Sequence, residues 1–266
     1  MTAIFAQVIM GMVTTKLVRL ALFVVELCLI GISPAAADFA AGERAFREQD
    51  YPTALRELEP AARAGDPRAQ YLLGQMYAYG GNYGHPAFAR DDAKAIYWLD
   101  LSVLQNYPPA MNARAAVYLR TIRGLSEYES AMALLIRAAQ MGHVRSQYDL
   151  GFIFAFTPYE DYGGKREPAR AVYWFTQAAQ AGAEAAYRKL SIITCSRAEN
   201  TKRKDDFIVC FTWLILAIQT GGPGEIEAPK DYERLRRRVS SDDIAEATRR
   251  ADDWIARYPL RDIPPD

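Results

Sequence analysis

Histidine is scarce in this chain. His85 and His143 are the only two in 266 residues, which excludes a three-histidine zinc site, and no H-E-x-x-H occurs. G-x-S-x-G and S-x-x-K are missing too, and Gly163-Gly164-Lys165 lacks the upstream glycine of a P-loop. Serine-based and phosphate-based catalysis therefore lose their usual anchors. No catalytic residue, metal site or cofactor is assigned. Nor is there a surplus of positive charge: Lys+Arg 32 equals Asp+Glu 32. Nucleic-acid binding rests on neutralising phosphates with a basic excess, so no nucleic-acid partner is expected. What the chain does have is apolar material, 50% hydrophobic and 12% aromatic residues, enough to bury a core and to argue against disorder.

The first 37 residues read as a secretory signal peptide. Lys16 and Arg19 form a positive edge, Leu20 to Ile32 is an apolar run, and Ala35-Ala36-Ala37 offers an A-x-A cleavage site before Asp38. Translation from Met10 or Met12 gives an n-region of ordinary length. Glu26 interrupts the apolar run, at an insertion cost of about 2 to 3 kcal/mol. It also leaves Cys28 without a lipobox, so a lipoprotein is the weaker reading. An uncleaved membrane anchor is the alternative to cleavage, against which the run is short for a span. Cleavage leaves 30 basic and 31 acidic side chains and two cysteines, Cys195 and Cys210, in a compartment where disulfides persist.

A phrase recurs along the remaining sequence. Around Trp174 stand Ala171, Ala178, Ala179 and Gly182; around Trp213 stand Cys210, Ala217, Ile218 and Gly221 at the same offsets. The frame also fits Ala131, Leu134, Ala138, Ala139 and Gly142, then Ala95, Trp98, Ser102, Val103 and Asn106, then Ala61, Ala62 and Gly65. The closing positions 65, 106, 142, 182 and 221 are 41, 36, 40 and 39 residues apart, the length of a helix-pair repeat. Each unit has an earlier half, clearest as Ala69, Leu73, Gly74, Tyr77, Gly80 and again as Ser146, Leu150, Gly151, Phe154. Spacings of three and four place these residues on one helical face.

Small residues in that register, Gly74 and Gly151 against Ala95 and Ala171, let two antiparallel helices approach closely, with Tyr77 and Trp98 filling the space around them. The closing glycines suit C-caps with positive φ. Asp91, Glu167 and Asp206 are placed to open second helices, and Ser126 with Glu129 has capping-box spacing.

The pattern A-x3-L-G-x2-Y-x2-G, a loop, then D-x2-K-A-x2-W-x3-A-A-x2-G resembles the Sel-one-like repeat (SLR) family, a relative of the tetratricopeptide repeats. Residues 69 to 106 and 146 to 182 match strongly, 110 to 142 and 186 to 221 in part, and the unit at Ala45 to Leu55 looks more like a tetratricopeptide repeat. The family often has a histidine where His143 stands, so that residue reads as structural, while His85 reads as a solvated loop residue. Arg114 departs from the pattern at a leucine position, and Ser191 and Thr194 replace glycine and tyrosine. The third and fifth units are expected to be less regular. The resemblance implies an all-α solenoid of about five antiparallel helix pairs over residues 38–222, serving as an adaptor or scaffold for protein complexes, often in the bacterial envelope. Beyond the Gly/Pro segment that follows Gly221, residues 223–266 read as a C-terminal capping helix pair, Tyr232 to Val239 and Ser241 to Tyr258, the second opened by Ser240 or Ser241.

With Gly74 and Gly151 as the buried register, the opposite face of the first helices carries Tyr71, Gln75 and Tyr79, then Tyr148, Phe152 and Phe156. These are the candidate partner-binding residues, on the concave surface, because aromatic side chains give contact area at little entropic cost. The alternative is that some of them pack between repeats. Long loops at 80–90 and 157–166, with Asn82, Tyr83, Tyr159 and Tyr162, form a second candidate surface. Cys195 and Cys210 are either a disulfide, brought together by an antiparallel hairpin, or two buried thiols. The arginines from Arg234 to Arg238, with Arg249 and Arg250, read as a solvated face partly paired with neighbouring acids. The expected function is an exported scaffold, periplasmic or secreted, that holds a protein or peptide partner. Its rivals are a cell-envelope enzyme, such as a cell-wall hydrolase or a penicillin-binding type, and an envelope assembly factor without a peptide groove. Membrane contact is expected only if the signal segment stays uncleaved.

Overall fold

The computed structural model describes residues 39–80, 89–156, 159–220 and 227–259, with side chains for all of these but 227–231. The signal segment, the cleavage site before Asp38, His85, Asn82, Tyr83 and Gly221 lie outside the described residues. Among those described there are twelve α-helices and no strand. They are α1 (Phe39–Arg47), α2 (Tyr51–Arg63), α3 (Pro67–Tyr79), α4 (Asp92–Leu104), α5 (Pro108–Arg120) and α6 (Leu125–Gln140). Then follow α7 (Val144–Phe156), a 3-10 turn at Glu160–Tyr162, α8 (Pro168–Gln180), α9 (Glu184–Thr201), α10 (Lys204–Thr220), α11 (Glu227–Arg236) and α12 (Ser241–Arg257). Each helix from α1 to α10 packs most heavily on its hairpin partner and next on a neighbouring pair, which gives five stacked antiparallel units.

The recurring small residues set the spacing within each hairpin. A methyl group built on Gly74 would stand 2.5 Å from Leu99 Cγ, and one on Gly151 would stand 2.7 Å from the Phe175 ring. No side chain fits at either place without moving the facing helix. Helix ends follow the closing positions: Gly65, Gly142 and Gly182 have φ of +101°, +88° and +100°, and Asn106 takes the same left-handed role at +61°. Asp91 opens α4 by accepting from the Lys94 N–H at 3.0 Å, and that backbone bond holds its carboxyl below the usual carboxylate range. Two expected caps are corrected. The α6 helix starts at Leu125 behind Gly124, so Ser126 is already inside it and makes no capping box. Glu167 makes no side-chain cap bond and pairs instead with Arg170 at 3.1 Å.

The third unit, whose helix α5 carries Arg114 where the pattern has leucine, accommodates the departure. Leu73, Leu150 and Leu190 are fully buried at the register where α5 carries Arg114. The Arg114 guanidinium lies 3.8 Å from the centroid of the Tyr118 ring and its Nε donates to Asp100 at 2.7 Å. Arg114 is buried while Asp100 is half exposed. Removing the partner of a buried charge strands it, whereas a half-exposed carboxylate that loses its partner is rehydrated and the apolar replacement gains burial. Arg114→Leu is therefore expected to leave stability unchanged or raise it by about 1 kcal/mol, and Asp100→Ala to lower it by about 1 to 3 kcal/mol. Urea denaturation of both variants checks the opposite signs, and two losses of equal size would refute the argument.

The interior divides at α5. Residues from α1 to α4, with Ala110, Ala113 and Val117 of α5, form one apolar cluster. Ala115 of the same helix belongs to a second cluster that runs through α6 to α10 and takes in Ala251 of α12. At the C-terminal end Leu235 of α11 and Ala247 of α12 join Phe207, Phe211 and the two cysteines in a third. The α12 helix, capped by Ser240 accepting from the Asp243 N–H at 3.2 Å, lays Trp254 against Trp213 with ring centroids 4.8 Å apart.

Candidate interaction surface

First helices meet across units, α1 with α3, α3 with α5 and α7 with α9, whereas second helices make no comparably extensive contact with one another. The exposed side chains of the first helices α3, α5, α7 and α9 are the ones expected to meet a partner held along that row.

The six aromatic and polar positions expected there separate into two groups. Tyr71 is corrected: it is only 5% exposed, its ring stands edge-on to Tyr107 at 5.7 Å, and its hydroxyl accepts from Gln75 Nε2. The reason is angular. Tyr71 lies three residues before Gly74, and residues three apart share a helix face rather than oppose each other. Tyr148 has the same relation to Gly151 and rests half-buried on Phe175, with ring centroids 5.3 Å apart. Gln75 is half-buried beside Tyr71, and Tyr79 is half-buried under the Arg120 guanidinium at 5.5 Å. Phe152 and Phe156, one and five residues after Gly151, pair with each other at 5.0 Å, and Phe152 is 39% exposed.

Around this pair lie residues that the sequence reading did not single out. Lys189 of α9 places its ammonium 5.8 Å from the Phe152 ring centroid and 5.7 Å from that of Phe156. One turn on, Ile192 is 46% exposed. On the α5 side a cavity of about 130 Å³ opens beside Phe152. Its floor is apolar, from Leu135 and Ile153, and its rim is polar, from Asn112 and Asp149. Asn112 Nδ2 donates to Asp149 at 2.9 Å, and Arg145 donates to the same carboxylate at 3.0 Å. Continuing the repeat register outward from Gln75 gives Ala116, Phe152 and Ile192, so Ile192 was legible by counting. Lys189 is not on that row and only the packing of α9 beside α7 brings it there.

The second candidate surface is partly absorbed into the core. Tyr159 is half-buried, 6.0 Å from the Tyr128 ring, and burial raises the phenol of both above its ordinary value. Cys195 and Cys210 are joined, Sγ to Sγ at 2.00 Å, across the α9–α10 hairpin. The C-terminal arginines are partly paired, Arg234 with Glu199, and Arg249 and Arg250 with Glu246. Among the described residues no group of three or more His, Cys, Asp or Glu side chains is placed to hold a metal ion, and no helix is long and apolar enough to cross a membrane.

The Sel1 repeat family model matches residues 67–107, 109–143 and 144–182. Chitin synthase regulatory factor 4 of Schizosaccharomyces pombe is 29% identical over 145 residues, 54% of this chain. The match spans about a fifth of that relative's length, 21%. Among solved structures, a protective antigen of uropathogenic Escherichia coli with an SLR fold superposes with a TM-score of 0.66 at 20% identity, over 83% of this chain and 45% of the antigen. A Sel1 repeat protein from Oxalobacter formigenes, 26% identical, covers 47% of this chain and 88% of its own, with a TM-score of 0.39. The three matched segments coincide with the units from α3 to α8, and the SLR-fold antigen shares the solenoid into which they stack. Residues 67–182 match Sel1 repeats, and the described helices share the stacked helix-pair solenoid of the SLR-fold antigen.

Proposed function

We propose that this protein is an exported interaction scaffold of the bacterial envelope that holds a protein partner against its inner surface. The observation that carries the reading is the Phe152–Phe156 pair: two large apolar rings on α7, one of them well exposed, beside a cavity with an apolar floor. Exposed aromatics grouped along a concavity are what partner binding uses, and a stack of short hairpins gains from them no packing of its own. The yeast relative, named as a regulatory factor of an enzyme, supports a role exerted on another protein. Export is supported by the composition of residues 1–37, with its apolar run and the A-x-A site before Asp38.

A single experiment addresses both parts. A photo-crosslinking residue is placed at position 152 and, as a control, at Tyr97 and Tyr173, which are exposed on the second helices α4 and α8. After irradiation of cells, the expected result is an adduct with an envelope protein from position 152 only, with the scaffold's own N-terminus at Asp38. Adducts from Tyr97 and Tyr173 alone would move the partner to the outer row. An N-terminus that retains residues 1–37 would refute cleavage.

A further inference from the structure

The charges around the Phe152–Phe156 pair are not balanced. Asp149, the one carboxylate at the cavity rim, is already matched by Arg145 and by the Asn112 amide. Lys189 is different: among the described residues it forms no ion pair, and its ammonium lies near the centroids of the two phenyl rings at 5.8 and 5.7 Å. A cation held near aromatic faces keeps its charge directed outward, beside the apolar surface of Phe152 and Ile192 and next to a cavity about the size of four water molecules. An occupant that placed a basic group here would meet Lys189 unscreened as the partner displaces water. An occupant with only apolar groups would cover the ammonium and leave it unpaired, which is costly.

We propose that this part of the inner surface binds an extended segment of the partner protein in which an acidic residue stands within two positions of a large apolar one. The apolar side chain enters the cavity between α5 and α7, displacing its water, and the carboxylate pairs with Lys189 on α9. The segment is internal to the partner rather than its chain end, because the row of first helices continues from the site through α5 toward α3. This inference rests on the scaffold reading and adds the chemistry of the ligand to it.

The test uses the purified chain and a displayed library of random peptides. Enriched peptides are expected to share an Asp or Glu within two positions of Phe, Leu, Ile or Met. The strongest is then synthesised in its acidic form and with Asn or Gln replacing the acid. Lys189→Met is expected to weaken the acidic peptide by about threefold to fivefold, as an exposed ion pair does, and to leave the amide peptide unchanged. Lys189→Arg keeps the preference, and added salt weakens only the acidic peptide on the wild-type chain. Lys189 is half-buried and Phe152 is exposed, and unchanged thermal unfolding of each variant establishes that the fold is intact. Enriched peptides without an acid, an acidic peptide indifferent to Lys189→Met, or a requirement for a free C-terminal carboxylate would each overturn the inference while Phe152→Ala still abolished binding. If no peptide is enriched, or if binding is indifferent to Phe152→Ala, the inner-surface reading itself fails.

Discussion

Replacing Trp174 by alanine is expected to lower the free energy of unfolding by about 3 to 5 kcal/mol, the range for deleting a large aromatic from a packed core. The indole is 8% exposed and Tyr173 stands edge-on to it at 4.9 Å. It belongs to the apolar cluster that runs through α6 to α10, alongside Leu150, Phe175 and Tyr187. In a solenoid each unit is stabilised by itself and by its neighbours, so a void at α8 weakens the hairpins on both sides. Neither side can collapse into the space easily, because Gly151 already holds α7 and α8 in closest approach. Trp98→Ala makes the matching void in the other cluster, nearer the N-terminal end. Urea denaturation followed by far-ultraviolet circular dichroism measures both. A loss below about 1 kcal/mol for Trp174→Ala would mean that the indole lies in a site able to relax, and the packing described for α8 would be wrong.

Breaking the Cys195–Cys210 bridge is expected to cost about 3 kcal/mol, the chain-entropy value for closing a loop of this length, whose ends are 15 residues apart. The bridge occupies a register that the units around Trp98 and Trp174 fill with alanine. Cys195 follows Ser191 as Ala78 follows Gly74, and Cys210 stands where α4 has Ala95 and α8 has Ala171. The double variant Cys195→Ala, Cys210→Ala should therefore fold without a steric clash and differ from the bridged protein mainly through the freed unfolded chain. The comparison is made by denaturation of the bridged protein, the reduced protein and the double variant, in a chain beginning at Asp38 so that Cys28 is absent. Reduced protein and variant should agree with each other and fall below the bridged form. Two thiols that titrate in the native protein before any reductant is added would refute the bridge.

How far the fold could be read beforehand follows from what repetition does to a sequence. One helix pair is ambiguous, but the recurrence of Ala95, Ala171 and Cys210, each three residues before a tryptophan, fixes register, hairpin spacing and the number of units together. Faces within a helix were read less well, because the choice of Gly74 and Gly151 as the buried register does not say how wide the buried stripe is. It is wide enough to take in residues three before the glycine, which buried Tyr71 and half-buried Tyr148. It is not wide enough to reach one residue or five residues after it, which left Phe152 and Phe156 available. Lys189 is of another kind. It is a charged residue on a neighbouring helix, with no motif around it, and only the distance between α7 and α9 gives it a role. The capping box at Ser126 was misread because it assumed a helix start that Gly124 had already moved upstream.

The division of the interior at α5 bears on how the molecule responds to force. A solenoid pulled from its ends carries the same load through every unit and yields where resistance is least. In this chain the α1–α4 block and the α6–α10 block each stretch against a continuous apolar cluster, while α5 shares its small apolar residues between the two. On the α4 side of α5 the apolar contacts are joined by polar ties, Arg114 to Asp100 and Arg120 to Asp92 at 2.6 Å. Polar ties have short reach and rejoin when the load is removed. Under tension the stack would hinge at α5 and spring back, altering the curvature beside Asn112 and Phe152 without unfolding either block.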